Sequence, residues 1–249
     1  MRDKLITLSY IFSGNVKKIK QAIDCNMDVK VCTNFLKELK KRNIKVITIL
    51  DKEYPKSLLE LYDPPFVLYC LGNIGLLNNK ISAIIGARRN LSYSKNVCKK
   101  LVERLEDNFS IVSGLAVGID SFAHKYAIEN NMSTIAVIGS GFDHIYPKDN
   151  LVLAGEISQN HLLISEYPFA VKPLPTHFPL RNRIIAALAK DIYVIEAGVR
   201  SGSLITANIG IELGRNIYCA PGSLFNKGYE GSHQLINDGA YLLELRNEV

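Results

Sequence analysis

Five arginines hold the chemistry that this sequence can be expected to perform. Arg88 and Arg89 follow an apolar run, Arg181 and Arg183 flank the start of a helical pattern, and Arg200 precedes Ser201-Gly202-Ser203. A guanidinium offers a planar fork of donors that matches phosphate. Within residues 178–207, the run Ile192–Ile195 has the length and β-branching of a buried strand and ends at Glu196. Gly198 and Gly202 then loosen the backbone before Ser203 opens a helix. A strand, a glycine-containing loop and a helix start together leave N–H groups unpaired at the positive end of a helix dipole. Such a place holds phosphate. Lys148, in Tyr146-Pro147-Lys148-Asp149-Asn150, could join the cations. The chemistry expected is the retention of one anionic, phosphate-bearing ligand.

Other motifs are weaker. Gly139-Ser140-Gly141 has His144 where a dinucleotide fingerprint needs its third glycine, and reads as a tight turn. Asp120 and His124 are four apart on one helix face and could pair, but no Gly-x-Ser-x-Gly elbow accompanies them, so a positioning role is expected. Glu196 could neutralise Arg183 inside the fold. The five histidines show no metal-ligand spacing, and no phosphate-binding loop ending in Lys-Ser/Thr is present. Neither a metal nor a cofactor is expected. The five cysteines are scattered without a Cys-x-x-Cys pair and read as reduced thiols.

Elements must bring these residues together. Residues 1–43 read as helices, with Asn15 and Asp28 as N-caps; Val46–Leu50 and Phe66–Leu71 read as strands, and Asp63-Pro64-Pro65 stops any helix between them. Strands then follow at Ile81–Ile85, Ser110–Val112, Thr134–Ile138, Leu162–Ser165, Ile192–Ile195 and Ile217–Ala220. Helices alternate with them over Tyr93–Leu105, Ser121–Asn130, Asn150–Ser158, Asn182–Ala189, Ser203–Leu213 and Ser232–Asn237. This alternation predicts an α/β fold, a mostly parallel sheet covered on both faces. Two parts are expected: a small helical N-terminal region with its extension, residues 1–72, and the main domain, residues 73–249. Gly86, Gly114, the arginines and the hydroxyls all fall in loops after strands, the edge at which open α/β sheets bind ligands.

Charge sharpens little of this. The net charge is +6, and residues 1–80 supply all of it with 14 Lys and Arg against 8 Asp and Glu. Lysine runs such as Lys17-Lys18 and Lys40-Lys41-Arg42 are more often solvated helix faces than binding sites. No apolar run reaches membrane-spanning length and no signal peptide is evident, so a cytoplasmic protein without a membrane anchor is expected.

Taken in order, the loops resemble those of the DNA-processing protein A (DprA, also called Smf) family over about residues 50–243. The matching stretches include Ile84-Ile85-Gly86-Ala87-Arg88, Val112-Ser113-Gly114-Leu115-Ala116 and Tyr146-Pro147-Lys148. They continue with Phe178-Pro179-Leu180-Arg181-Asn182-Arg183-Ile184-Ile185, Ser201-Gly202-Ser203-Leu204-Ile205-Thr206-Ala207 and Pro221-Gly222. The resemblance implies a Rossmann-like domain preceded by a sterile-alpha-motif-like region. It implies binding of single-stranded DNA without sequence preference, homodimerisation, and loading of the RecA recombinase in natural transformation or recombination, with no catalysis. By position it implies DNA contacts at Arg88 and Lys148, with Gly86, Gly114 and Asn182 beside them. Arg181, Arg183 and Ser201, Gly202 and Ser203 would form the phosphate-holding pocket, and Ile236, Leu242 and Leu243 the dimer contact. The chain stops at Val249, which implies a short form without the winged-helix-like C-terminal domain of many members. Phe142, Tyr146 and Phe169 are candidates for stacking on bases. A second reading is a nucleotide-processing enzyme of the nucleoside-monophosphate phosphoribohydrolase type, whose Pro-Gly-Gly-x-Gly-Thr-x-x-Glu signature the chain lacks. A third is a mononucleotide sensor.

Overall fold

The computed structural model describes residues 1–89, 92–106 and 108–245. Helices α1 (Arg2–Ile11), α2 (Val16–Asp24) and α3 (Thr33–Lys41) open the chain. Ile6, Ile19, Phe35 and Leu39 close a small core over Val67 and Tyr69. Asn15 caps α2 as expected, its side chain accepting from the Lys18 N–H at 3.1 Å. Asp28 does not cap α3, which starts only at Thr33; it pairs with Lys4 at 3.2 Å instead.

The rest of the chain builds one nine-stranded sheet. Its strands are β1 (Lys45–Thr48), β2 (Val67–Gly72), β3 (Lys80–Ile85), β4 (Phe109–Ser113), β5 (Ser133–Ile138), β6 (Leu162–Ser165), β7 (Asp191–Val194), β8 (Asn216–Cys219) and β9 (Tyr241–Leu242). The order across the sheet is β1-β2-β6-β5-β4-β3-β7-β8-β9. Strands β3 to β9 run parallel, and β2 joins β1 and β6 antiparallel. This is the α/β fold that the alternation predicts, in the Rossmann-like form that the family resemblance implies. The division expected at residue 72 is not a break in the sheet, because β2 pairs with β6 from Tyr69–Ser165 to Gly72–Leu162. Residues 246–249 of the expected main domain lie outside the described residues.

Alternation along the strands sends side chains to two cores. Ile81, Ala83 and Ile85 of β3 pack with helices α7 (His177–Leu188), α8 (Gly202–Glu212) and α9 (Glu230–Asn237). Ile84 faces the opposite side, with α4 (Ser92–Val102) and α5 (Ile119–Glu129). Helix α6 (Leu151–Asn160) covers β5 and β6 on that side through Leu153, Ala154 and Ile157. After β3 the chain moves to β4 on one side, and β7 later pairs on the other. The strand order therefore reverses at β3 and β7, where ligands of such sheets bind. Among the described residues no helix is long and apolar enough to cross a membrane.

Candidate functional site

A cleft of about 780 Å³ opens at the carboxyl ends of β3 and β7. Gly86, Ala87 and Arg88 form one wall, Arg200 to Ser203 the second, and the segment from Pro173 to Asn182 the third. The Arg88 wall is held by α5, whose Ile119 N–H donates to the Ala87 carbonyl at 3.2 Å. Gly118 makes this approach possible. Its φ is +87°, and a Cβ there would lie 2.3 Å from the Ala87 carbonyl oxygen.

Arg181 is 5% exposed and lines the cleft from α7. Its Nη1 donates to the carbonyls of Gly114 and Val137, and its Nε to Asn182 Oδ1 at 3.1 Å. Asp120 faces it. A Cβ at Gly114 would come within 2.6 Å of both the Arg181 guanidinium and Asp120 Oδ2, so glycine is what lets the two approach. Burial pushes the Asp120 carboxyl up, opposed first by Arg181 and then by the N–H groups of Ala116 and Gly114. Burial also pulls Arg181 down to about 10, with Asp120 opposing, so the guanidinium stays charged at neutral pH.

The second wall is a helix start. Ser201 caps α8 by accepting from the Leu204 N–H at 3.3 Å, and Ser203 Oγ donates to Ser201 Oγ at 3.3 Å. Asn182 Nδ2 donates to the Gly202 carbonyl at 3.2 Å, which ties α7 to this turn. The N–H groups of Gly202 and Ser203 have no acceptor among the described residues. Together with Arg88, Arg181 and Arg200 they give the cleft a surplus of donors and positive charge, a setting for an anionic oxygen.

Not every expected residue is here. Arg183 lies on the other side of α7: its Nη2 donates to Glu166 Oε1 at 2.7 Å, and its Nε is 3.2 Å from Asp63 Oδ1. It fastens the helix to the end of β6 and to the 63–65 turn, and does not line the cleft. Glu196 does not neutralise it; Glu196 accepts from Ser94 Oγ, which lies 2.6 Å from the Tyr229 hydroxyl. Lys148 and Arg89 are exposed but outside the cleft walls, although Tyr146, two residues before Lys148, is one of them. The expected Asp120–His124 pair is also absent. His124 Nδ1 lies 2.7 Å from Thr134 Oγ1, which donates to the Ile111 carbonyl at 2.9 Å. Thr134 must therefore accept, which makes the imidazole the Nδ1–H tautomer and leaves Nε2 without a partner among the described residues. Burial first, then the nearby Arg181 charge, pushes His124 down to about 3.

Of the three aromatic candidates only Tyr146 reaches the cleft. Phe142 and Phe169 pack against the N-terminal core, and Arg42 lies 4.2 Å over the Phe169 ring. Sequence reasoning passed over Phe178, which lines the cleft 5.6 Å from the Tyr146 ring. Its signal was spacing: it precedes Arg181 by three residues on one helix, so both share a face. Of the three residues expected at a dimer contact, Leu242 is exposed on β9, Ile236 is partly buried and Leu243 is buried. Among the described residues no three His, Cys, Asp or Glu side chains gather as a metal site.

The sequence profile described as DNA recombination-mediator protein A matches residues 45–249. The chain belongs to this family. The DNA processing protein DprA of Streptococcus pneumoniae is 44% identical over 202 residues, covering 81% of this chain and 72% of that one. The Bacillus subtilis DprA is 42% identical over 203 residues, covering 81% and 68%. Protein Smf of Escherichia coli is 39% identical over 213 residues, covering 85% and 57%. Among solved structures, the Streptococcus pneumoniae protein matches with a TM-score of 0.83 at 36% identity, over 96% of this chain and 92% of that one. DNA processing protein A of Helicobacter pylori, in a structure concerned with its single-stranded DNA binding mode, matches with a TM-score of 0.74 at 32% identity, over 81% and 92%. The cleft falls wholly within the stretch that the recombination-mediator family shares.

Proposed function

We propose that the chain binds single-stranded DNA without sequence preference in the cleft at β3 and β7, and delivers it to the RecA recombinase in the cytoplasm. Homologous recombination, including natural transformation, is the process this serves. The observation that carries the reading is the convergence of Arg88, Arg181 and Arg200 with the open N–H groups of Gly202 and Ser203 around one volume. The family description and the single-stranded binding mode of the Helicobacter pylori relative support it.

In this reading phosphates sit on the 202–203 amides and on the guanidiniums of Arg88 and Arg181, with Asn182 bracing the turn. Gly86 leaves room for the Ile119 side chain and Gly114 for the Arg181–Asp120 approach behind the site, and Lys148 takes the backbone beyond the cleft. Tyr146 and Phe178 offer faces on which splayed bases stack. A duplex keeps its bases paired inside and cannot use that volume. The strand is held and left uncut. A homodimer would form across β9, whose outer side is an unpaired sheet edge among the described residues, through Leu242 with Ile236 and Leu243 nearby.

Fluorescence anisotropy with a labelled oligonucleotide tests this. Arg88→Ala and Lys148→Ala should each weaken binding about tenfold and reduce the salt slope by about 0.7. Unchanged affinity in both variants would contradict the reading.

A further inference from the structure

One unit carries the charge of the whole molecule. Residues 1–43 hold ten Lys and Arg against four Asp and Glu, while residues 44–249 hold twenty of each. The formal excess of +6 therefore sits on the stretch 1–43 that contains α1 to α3. A surface shaped only for solubility intersperses both signs. Here Lys17, Lys18 and Lys20 on α2 and Lys37, Lys40 and Lys41 on α3 are exposed, and none meets a carboxylate among the described residues. Asp28 and Glu38, two of the four acids, already pair with Lys4 and Arg42.

Local structure explains only part of this. Lys40 and Lys41 end α3, where helix carbonyls favour cations. The same dipole disfavours Lys17 and Lys18, which occupy the first turn of α2 with no acid beside them. An anion from outside the chain would offset that cost.

The residues that flank both helices meet the sheet edge that carries the cleft. Gly14, just before α2, lies so close to the end of β6 that a Cβ there would be 2.6 Å from the Glu166 carbonyl oxygen and 3.1 Å from the Tyr167 ring. Tyr167 stacks on His177 at 4.1 Å, and the next residue, Phe178, lines the cleft. At the end of α3, Arg42 pairs with Asp143 at 2.6 Å, in the turn that leads to Tyr146 and Lys148.

We propose that the outer face of α2 and α3 is a second nucleic-acid contact, which takes the backbone of the same single strand where it leaves the cleft past Tyr146 and Lys148. This inference rests on the reading that the cleft holds the strand. The contact is to phosphates alone, because ammonium groups on flexible stems act as point charges with no base preference. Arg42, committed to Glu38 and Asp143, is the joint between the two surfaces. An acidic protein would suit the same charge, but continuity with the cleft favours the strand.

The test uses the full chain in two triple variants, Lys17→Ala/Lys18→Ala/Lys20→Ala and Lys37→Ala/Lys40→Ala/Lys41→Ala. Anisotropy is measured with oligothymidylates of about 8 and about 40 nucleotides, the shorter chosen to fill the cleft alone. Each triple variant should weaken the long oligonucleotide about tenfold, lower its salt slope by about 2, and leave the short one unchanged. Arg88→Ala should weaken both. The α2 variant should melt no lower than the wild type, since removing cations from a helix start relieves the dipole. Unchanged affinity of both triple variants for the long oligonucleotide, while the wild type binds it, would overturn the inference and leave the cleft reading standing. So would an equal loss on long and short. Failure of the wild type to bind either oligonucleotide would overturn the cleft reading and this inference with it.

Discussion

Arg181 and Arg183 stand two residues apart on α7, both buried, yet they serve different parts of the molecule. Two residues is about 200° around a helix, so the two guanidiniums leave from opposite sides. On the core side Arg183 meets two carboxylates, Glu166 and Asp63, and its charge is used up in holding α7 to β6. On the cleft side Arg181 meets two backbone carbonyls and a single facing acid, Asp120, and Arg88 and Arg200 line the same open volume. Burial alone therefore does not mark a binding arginine. The mark is an excess of cations over acids next to space that a ligand can fill.

The comparison breaks most visibly on the core side. Arg183→Ala leaves Glu166 buried without its cation, and the expected loss of stability is about 3–5 kcal/mol. Urea unfolding reads that loss, and DNA affinity per folded molecule should stay at the wild-type value. A stable Arg183→Ala protein with weakened DNA binding would place Arg183 with Arg181 and undo the distinction.

A smaller effect sharpens the cleft side. His124, close enough to Arg181 to feel its charge, is held neutral by burial down to about 3, against 6.5 for a free imidazole. The unfolded chain takes up the proton first as pH falls, so stability should drop between about pH 6.5 and 3, by at most about 1.4 kcal/mol per pH unit from this group. Removing the imidazole in His124→Gln should flatten that part of the curve. Urea midpoints of the two proteins at pH 7 and pH 5 check it, and an identical pH dependence would show that the imidazole is not sealed from protons.

Much of this was legible in the sequence, and the gaps have physical causes. Strands such as Ile81–Ile85 and Leu162–Ser165 were plain because buried parallel strands read as short β-branched apolar runs. The start of α7 was not, since Pro179 looks like a breaker, yet in the first turn its missing N–H has no partner to lose. Strand β9 is two residues long and shows no alternation to detect. The cluster at the cleft was foreseen because glycines, hydroxyls and arginines recur after strands. Arg183 was grouped with it because spacing in the chain was read without the turn of the helix. Its true partners, Asp63 and Glu166, come from distant segments that no local pattern connects.

The most direct test of the central claim is an anisotropy titration of the full chain with single-stranded and double-stranded DNA of one length, across rising salt. The account predicts tighter binding of the single strand, with log affinity falling linearly against log salt, and no displacement by a nucleoside monophosphate at matching concentration. Equal or tighter binding of the duplex, or release of free base from the monophosphate, would contradict it.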